Sequence, residues 1–258
     1  MNFNKILIAG CSYASGYGLP EEHLDSNCWT NILSNKLKAK TVKNISKIGS
    51  NNQWIFLETM SELIKNDYDL VLVEWSAIPR YRFHVGLELY TIMSSLDRDI
   101  NLVGNTTVTK KWLAEFKDRL LAIHNDHWDL LDLIKYVNVL IKIQAQSKHI
   151  FFINGLGPWT DQYFVKKSIL LPSDLDSFTY KLLQAELRDD SEVFQLYNMI
   201  HEQYNFYGNI REDYWLNLYQ SMDKIKVDTV SRTDPHPGIN SQQVFADHFY
   251  QQIQQKIK

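Results

Sequence analysis

Short apolar runs alternate along this chain with segments in which apolar residues recur at helical spacing. Four of the runs end in turn residues and are too short for helices, which is typical of strands buried on both faces. They cover residues 5–9, 41–45, 69–75 and 150–154. A weaker run at 226–230 predicts a fifth short strand.

Between these runs the apolar residues follow the three-and-four spacing of one helix face. The spacing predicts helices over 29–37, over 110–146 with a break at 124–129, and over 245–257. A further helix runs through Trp54 and Leu63, and Asn51 or Asn52 can cap its first turn. Pro79 rules out a helix directly after the third strand.

Strands that alternate with helices predict the α/β class: a three-layer, flavodoxin-like parallel sheet with helices on both faces. Helical insertions are expected at about 83–147 and 160–222. Ligands of such sheets bind beyond the carboxyl ends of the strands. The chemistry is therefore expected in the loops at 10–17, 49–52, 75–82 and 154–159, and in a fifth loop at 232–240.

Composition and charge limit the classes of partner that we expect the protein to bind. The chain has 258 residues, 45% hydrophobic and 22% charged, enough to bury a sizeable core. A formal net charge of -3 gives no general positive field, so no nucleic-acid partner is expected. No apolar run approaches the roughly 20 residues of a membrane helix, so no membrane partner is expected. Only two cysteines and no leader-like first segment predict a reducing, cytoplasmic location, and the pattern predicts no oligomeric state.

Two residues separate Ser12 from the end of the first strand, with Gly10 before the serine and Gly16 after it. This placement presents the hydroxyl and the backbone N–H of the serine at the carboxyl edge of the sheet. An ordinary strand-to-helix turn has the same pattern. A phosphate-binding loop fits less well, because the glycine spacing differs from the dinucleotide fingerprint and no Gly-Lys-Ser/Thr follows.

Asp234 and His236 lie near the other end of the chain, each followed by a proline. The prolines make this stretch rigid and non-helical. A carboxylate beside a rigidly held histidine can fix the imidazole tautomer, which is what a general base needs. A surface turn with a chance histidine is the alternative. A metal site is not expected, because no second histidine or cysteine stands at ligand spacing, and no cofactor is expected.

The order of these residues on a parallel α/β sheet resembles the SGNH or GDSL hydrolase family. Gly10-Cys11-Ser12 is similar to the first block of the family, Gly-Asp-Ser, with Cys11 in place of the aspartate. Ile48-Gly49-Ser50-Asn51-Asn52 is similar to the second block, and Asp234-Pro235-His236-Pro237 to the fifth.

The resemblance implies a role for each matching residue. Ser12 would be the nucleophile, His236 the base and Asp234 the acid that orients it, while the N–H groups of Ser12 and Gly49 would bind the oxyanion. Because the two ends of the chain then meet at one sheet edge, residues 1–258 are expected to form a single domain of this type.

The chain departs from the family pattern at two places. One residue, not two, separates Asp234 from His236, and the asparagine of the third block is missing after strand three. Asn51, Ser76 and Asn154 are the expected replacements as side-chain donors in the oxyanion hole.

Arg80 and Asn154 are predicted to bind substrate, with Arg80, beside Arg82, clamping an anionic group unless these arginines are simply solvated or paired. Cys11 is an alternative nucleophile, although a cysteine there is more often buried. His248 is a fallback base.

The resulting expectation is a serine esterase, acyl hydrolase or acyltransferase that cleaves a small-molecule or glycan ester. The alternative is a catalytically weak or inactive module of the same fold that binds a glycan or a protein partner. A flavodoxin-like nucleotide binder is a third reading, but it would need phosphate-loop chemistry.

Overall fold

The computed structural model describes residues 2–77, 80–85, 88–93, 126–144, 149–156, 211–218 and 220–257. Six strands lie in these ranges: β1 Lys5–Ala9, β2 Thr41–Asn44, β3 Leu70–Trp75, β4 Arg80–Val85, β5 Glu88–Met93 and β6 His149–Asn154. Seven helices accompany them: α1 Ser12–Ser15, α2 Glu21–Asn27, α3 Trp29–Lys36, α4 Asn52–Lys65, α5 Asp126–Gln144, α6 Met222–Ile225 and α7 Ile239–Lys256.

Four of the strands form a parallel sheet in the order β2-β1-β3-β6. The predicted strands at 5–9, 41–45, 69–75 and 150–154 are confirmed, with bounds shifted by one residue at most. Because the chain leaves β1 for β2 on one side and crosses back to β3 on the other, the strand order reverses between β1 and β3. Ligands of doubly wound sheets bind at such a reversal.

Helices cover both faces of the sheet, which confirms the three-layer α/β fold. Ile6 and Ile8 of β1 pack with residues of α3 and α7. Leu7 and Ala9, on the other face of the same strand, pack with residues of α4 and α5. The alternation of β1 side chains between two apolar layers explains why this strand is an uninterrupted hydrophobic run.

The predicted fifth strand at 226–230 is wrong. The structure has an irregular segment there, with a single bridge between Thr229 and Pro237. Val227 is largely exposed, so the segment lacks the buried faces that hold a strand in this sheet. Asp228 turns instead toward the first turn of α7.

The insertion predicted as helical from about residue 83 begins with strands. β4 and β5 form an antiparallel hairpin, with Arg80 paired to Met93. Residues 80–85 alternate polar and apolar side chains, a period of two that favours a strand. Arg80 therefore starts a strand and does not lie in a loop.

Two helix bounds also differ from the prediction. α5 already begins at Asp126, inside the predicted break at 124–129, and α7 begins at Ile239, before the predicted start at 245. Polar residues make up most of the first turn of α7, which hides it from an apolar pattern. The predicted helix before residue 126 and most of the insertion at 160–222 lie outside the described residues.

Replacing Leu33 of α3 by alanine should destabilise the fold by about 2–5 kcal/mol, because the residue is 0% exposed and truncation leaves a cavity. Leu57→Ala on α4 is the matched control. Its side chain is 46% exposed, so the change should stay within about 0.5 kcal/mol. Urea denaturation of both variants measures the difference, and equal losses would contradict this account of the core.

Candidate active site

The first loop follows β1 at the point where the strand order reverses. Gly10 follows Ala9, the last residue of the strand, and Ser12 begins α1, a helix of four residues. Gly16 ends this helix in the left-handed conformation, with φ of 72°, which costs glycine little. Ser12 is 3% exposed, so the loop holds it in a closely packed turn.

A buried carboxylate lies against this loop. Glu74, on β3, accepts hydrogen bonds on Oε2 from the backbone N–H of Cys11 at 2.9 Å and of Ala14 at 3.1 Å. Its Oε1 accepts one from the Cys11 thiol at 3.0 Å. Cys11 is thereby directed toward Glu74 and fully buried, which does not suit it as a nucleophile.

Glycines at the ends of the neighbouring strands leave room for Glu74. A Cβ atom at Gly10 would lie 2.5 Å from Oε2, and one at Gly155 would lie 2.1 Å from Oε1. Both distances are far below van der Waals contact. The carboxylate therefore fills a space that two side-chain-free positions create between β1 and β6.

Asp234 and His236 are paired, as the sequence predicts. Asp234 Oδ1 lies 2.6 Å from His236 Nδ1 and accepts the backbone N–H of His236 at 3.0 Å. This backbone N–H lowers the pKa of the Asp234 carboxyl against the opposing effect of burial, and the His236 ring adds to the lowering. One intervening residue is enough for the pair, because the aspartate turns back on its own chain.

Two tyrosines of the first loop pack against the His236 ring. The centroid of the Tyr17 ring lies 4.7 Å away and that of Tyr13 lies 5.9 Å away, both edge to face. The hydroxyl of Tyr13 donates to Asp223 at 2.9 Å. Burial first, and then Asp223, raises the pKa of Tyr13 above its ordinary value, so the phenol stays neutral.

The two ends of the chain therefore meet at the sheet edge. Tyr13, the residue after Ser12, touches His236 directly. Within the described ranges, however, no hydrogen bond joins the Ser12 hydroxyl to the His236 ring. The nearest polar side-chain atom that pairs with Ser12 Oγ is Cys11 Sγ, at 3.9 Å.

The segment that carries His236 is anchored to α7 by Asp228. The carboxylate accepts the N–H of Asn240 at 3.1 Å and of Ser241 at 2.7 Å, and so caps a helix whose own cap residue, Gly238, has no side chain. Burial alone would raise the pKa of Asp228, but hydrogen bonds from Ser241 and Asn240 outweigh it and lower the pKa.

The second loop reaches the third through Asn52. Its Oδ1 accepts the N–H of Ser76 at 2.8 Å, and its amide donates to the carbonyl of Ser76 at 3.2 Å. Asn51 caps α4 by accepting the N–H of Trp54 at 2.9 Å. Gly49 adopts φ of 73°, which bends the loop where the sequence places an oxyanion donor.

Ser76 follows the last residue of β3, Asn154 is the last residue of the neighbouring strand β6, and both are fully buried. Ser76 Oγ and Asn154 Oδ1 have no hydrogen-bond partner in the described part of the chain. The amide of Asn154 donates to the carbonyl of Leu218 at 3.2 Å, and its backbone pairs with Asn217. Its nitrogen is thus already engaged within the protein.

His248 lies half-buried on α7 beside Phe249, and burial lowers its pKa. The described ranges contain no group of three side chains that could hold a metal ion. Nor does any helix within them have the length and apolar character needed to cross a membrane.

Sequence reasoning missed Glu74, Asn52 and the two tyrosines. The sequence pattern around Glu74 could have indicated its importance, because a charged residue inside an otherwise apolar buried strand is rare unless it is paired. Asn52 was recognised only as an alternative cap. The contacts of Tyr13 and Tyr17 with His236 depend on the meeting of distant segments, which no local pattern encodes.

The chain is similar to known proteins in the comparison with solved structures only. No protein-family model matches the chain, and no curated protein does. The solved structure of TesA is similar at 11% identity and a TM-score of 0.46, over 98% of this chain and 99% of that one. The psychrotrophic esterase EstA from Pseudoalteromonas sp. is similar at 17% identity and a TM-score of 0.44, over 98% of each chain.

A member of the lipolytic protein G-D-S-L family from Veillonella parvula DSM 2008 is similar at 11% identity and a TM-score of 0.41, over 95% of this chain and 94% of that one. At these identities and TM-scores, the likeness assigns no activity and no residue role to this chain.

Asp228→Asn should destabilise the protein by about 1 kcal/mol at pH 7, because the amide lacks the negative charge that favours the N-terminus of α7 and has one acceptor oxygen where the carboxylate uses two. The lowered pKa means that the carboxylate stabilises the fold above its unfolded pKa of about 3.9, and that this stabilisation is lost as pH falls through the folded pKa. Urea denaturation should therefore show the variant and the wild type converging toward pH 3.

Asp213→Asn is the control for this measurement, because Asp213 is exposed and pairs with Arg211 only at 3.7 Å. Its effect should stay within about 0.5 kcal/mol at pH 7. A gap between Asp228→Asn and the wild type that stays constant with pH would contradict the assignment of the cap.

Proposed function

We propose that this protein is an ester hydrolase or acyltransferase of the SGNH or GDSL type, with Ser12 as nucleophile. The observation that carries the proposal is the packing of the paired Asp234 and His236 against the loop of Ser12, through Tyr13 and Tyr17. A serine, a histidine and a carboxylate at the carboxyl edge of one parallel sheet have the composition that acyl transfer requires.

In the proposed reaction His236 Nε2 takes the proton of the Ser12 hydroxyl as Oγ attacks the acyl carbonyl carbon. Asp234 accepts a hydrogen bond from the N–H at Nδ1, which leaves Nε2 as the basic nitrogen. The carboxylate also stabilises the imidazolium that forms. His236 then returns the proton to the leaving alcohol oxygen as the carbon–oxygen bond breaks. Catalytic hydrogen bonds of this kind often form only when substrate binds, which is compatible with the absence of a hydrogen bond between Ser12 and His236 in the described part of the chain.

The carbonyl oxygen becomes negatively charged in the tetrahedral intermediate and needs donors. We assign the N–H groups of Ser12 and Gly49 to this role. Ser76 is the favoured side-chain donor, since its buried hydroxyl has no partner among the described residues. Asn51 and Asn154 are weaker choices, because Asn51 caps α4 through its oxygen and Asn154 donates to Leu218 through its nitrogen.

Water, or the hydroxyl of an acceptor, then attacks the acyl carbon as His236 takes its proton. The bond between the acyl carbon and Ser12 Oγ breaks, and His236 returns the proton to Oγ. The proposed substrate is a small-molecule or glycan ester, with Arg80 and Asn154 as binding residues. The proposal also comprises a single domain over residues 1–258, a cytoplasmic location, and the variant first and last blocks that contain Cys11 and the shortened Asp234 to His236 spacing.

Ser12→Ala should abolish both ester hydrolysis and covalent labelling by a fluorophosphonate probe, since the attacking oxygen is removed. Ser15→Ala is the matched control, because this serine lies in the same short helix and donates only to the carbonyl of Ser12. It should retain labelling and turnover. Hydrolysis of a panel of short acyl esters and intact-mass detection of the adduct provide the measurements.

A probe adduct that persists in Ser12→Ala would overturn the assignment of the nucleophile. A wild-type protein that neither takes the probe nor hydrolyses any ester of the panel would overturn the proposed activity.

His236→Gln should lower kcat/KM by about a hundredfold or more, the usual contribution of a positioned general base. His149→Gln is the control, because His149 lies at the opposite, amino end of β6 and stacks on Phe151. Ester hydrolysis at pH 7 compares the two variants. Equal activity in both would exclude His236 as the base.

The absence of a hydrogen bond between Ser12 and His236 among the described residues favours a second function, a catalytically weak or inactive module that binds a glycan or a protein at this edge. In that case Ser12→Ala would leave binding to an immobilised glycan panel unchanged, and the wild type would show no turnover.

A further inference from the structure

Glu74 takes no part in the reaction proposed above, although it lies at the centre of the site. It is 0% exposed and stands in β3 among apolar residues. Burying a carboxylate is costly unless hydrogen bonds or opposite charges compensate it. A residue kept in such a place must make contacts that account for the cost.

Its contacts converge on the segment around Ser12. The backbone N–H of Cys11 lies on one side of Ser12 in the chain and that of Ala14 on the other, and both donate to Oε2. The Cys11 thiol donates to Oε1. One carboxylate thus accepts three hydrogen bonds from the short segment that contains Ser12.

We propose that Glu74 is a positioning residue for Ser12, fixing the direction of the hydroxyl and the backbone N–H of the nucleophile through its hydrogen bonds to Cys11 and Ala14. This inference rests on the proposed function, because it assigns Glu74 a purpose in that reaction. Glu74 does not itself touch the substrate.

The need for such a residue follows from the length of α1. A helix of four residues has too few hydrogen bonds of its own to persist, and Cys11 supplies no side-chain cap at its start. Glu74 provides that cap from another strand. It takes the N–H groups of Cys11 and Ala14, and the N–H of Ser12 between them is left to the oxyanion.

Space for the carboxylate is built into the sheet from both sides. Gly10 and Gly155 are the positions where a side chain would collide with Oε2 and Oε1. Alanine at residue 155 would therefore push Glu74 away from the loop without removing its charge. Gly155→Ala therefore offers a way to displace the carboxylate from a position that makes no hydrogen bond to Ser12 within the described ranges.

Glu74→Gln is the first test, because glutamine keeps the shape and loses the charge and one acceptor. A 1 Å displacement of a reacting group can lower rates about a hundredfold, so kcat should fall roughly tenfold to a hundredfold while KM changes little. The rate of fluorophosphonate labelling should fall by the same factor. Glu74→Ala should lose more, since it leaves both N–H groups unpaired.

Gln144→Leu is the matched control for a merely structural effect. Gln144 is also buried, and it donates to the carbonyl of Tyr68 at 3.0 Å, at the opposite end of β3. This variant should lose a comparable part of its thermal stability and keep its kcat and labelling rate. Gly155→Ala should instead reproduce the fall in kcat, and it replaces Glu74→Gln if that variant does not fold.

Hydrogen exchange of the peptide that spans residues 11–15 separates this inference from the proposed function. Faster exchange in Glu74→Gln, together with the fall in kcat, supports it. If Glu74→Gln and Gly155→Ala keep wild-type kcat and labelling, the inference is overturned. If the wild type itself is inactive, the proposed function fails, and hydrogen exchange at residues 11–15 then tests the positioning alone. Faster exchange in Glu74→Gln than in Gln144→Leu supports the positioning. Equal exchange in the two variants overturns it.

Discussion

The pairing of β1 with β3 sets the geometry of the whole site. Ala9 lies opposite Val73 in this parallel ladder, so the next residues along, Gly10 and Glu74, emerge side by side at the carboxyl edge. The carboxylate can then reach the first turn of α1, which begins two residues later. A slip of one residue would turn Glu74 to the other face of β3 and would remove the cap of the loop.

The opposite wall of the site depends on a different kind of constraint. The segment with His236 has no regular secondary structure and is held by Asp228 at α7 and by ring contacts with Tyr13 and Tyr17. The sheet thus supplies a rigid serine side, while capping and aromatic packing supply the histidine side. The two sides meet because α7 packs, with α3, on the face of the sheet that Ile6 and Ile8 of β1 form.

The sequence predicts the parallel strands well because each is a buried run, whose pattern is local. It predicts the Asp234 and His236 pair for the same reason, since the conformation that brings these two side chains together depends only on them and on the two neighbouring prolines. The start of α7 escapes it because the first turn of that helix is mostly polar, and the predicted fifth strand is wrong because Val227 is largely exposed. The sequence does not predict a role for Glu74, because its contacts depend on how the ends of three strands, β1, β3 and β6, lie together in the sheet.

The Asp234 and His236 pair also has a consequence for how activity could be controlled. Both groups sit on one short segment, so their hydrogen bond travels with that segment as a unit, whereas Ser12 belongs to the sheet. The pairing of the imidazole with Asp234 and its distance from the Ser12 hydroxyl are therefore separate variables. The pairing is made within three residues, and the distance depends on how closely residues 230–237 pack on α1. A translation of that segment would change this distance and leave the Asp234 and His236 pair intact.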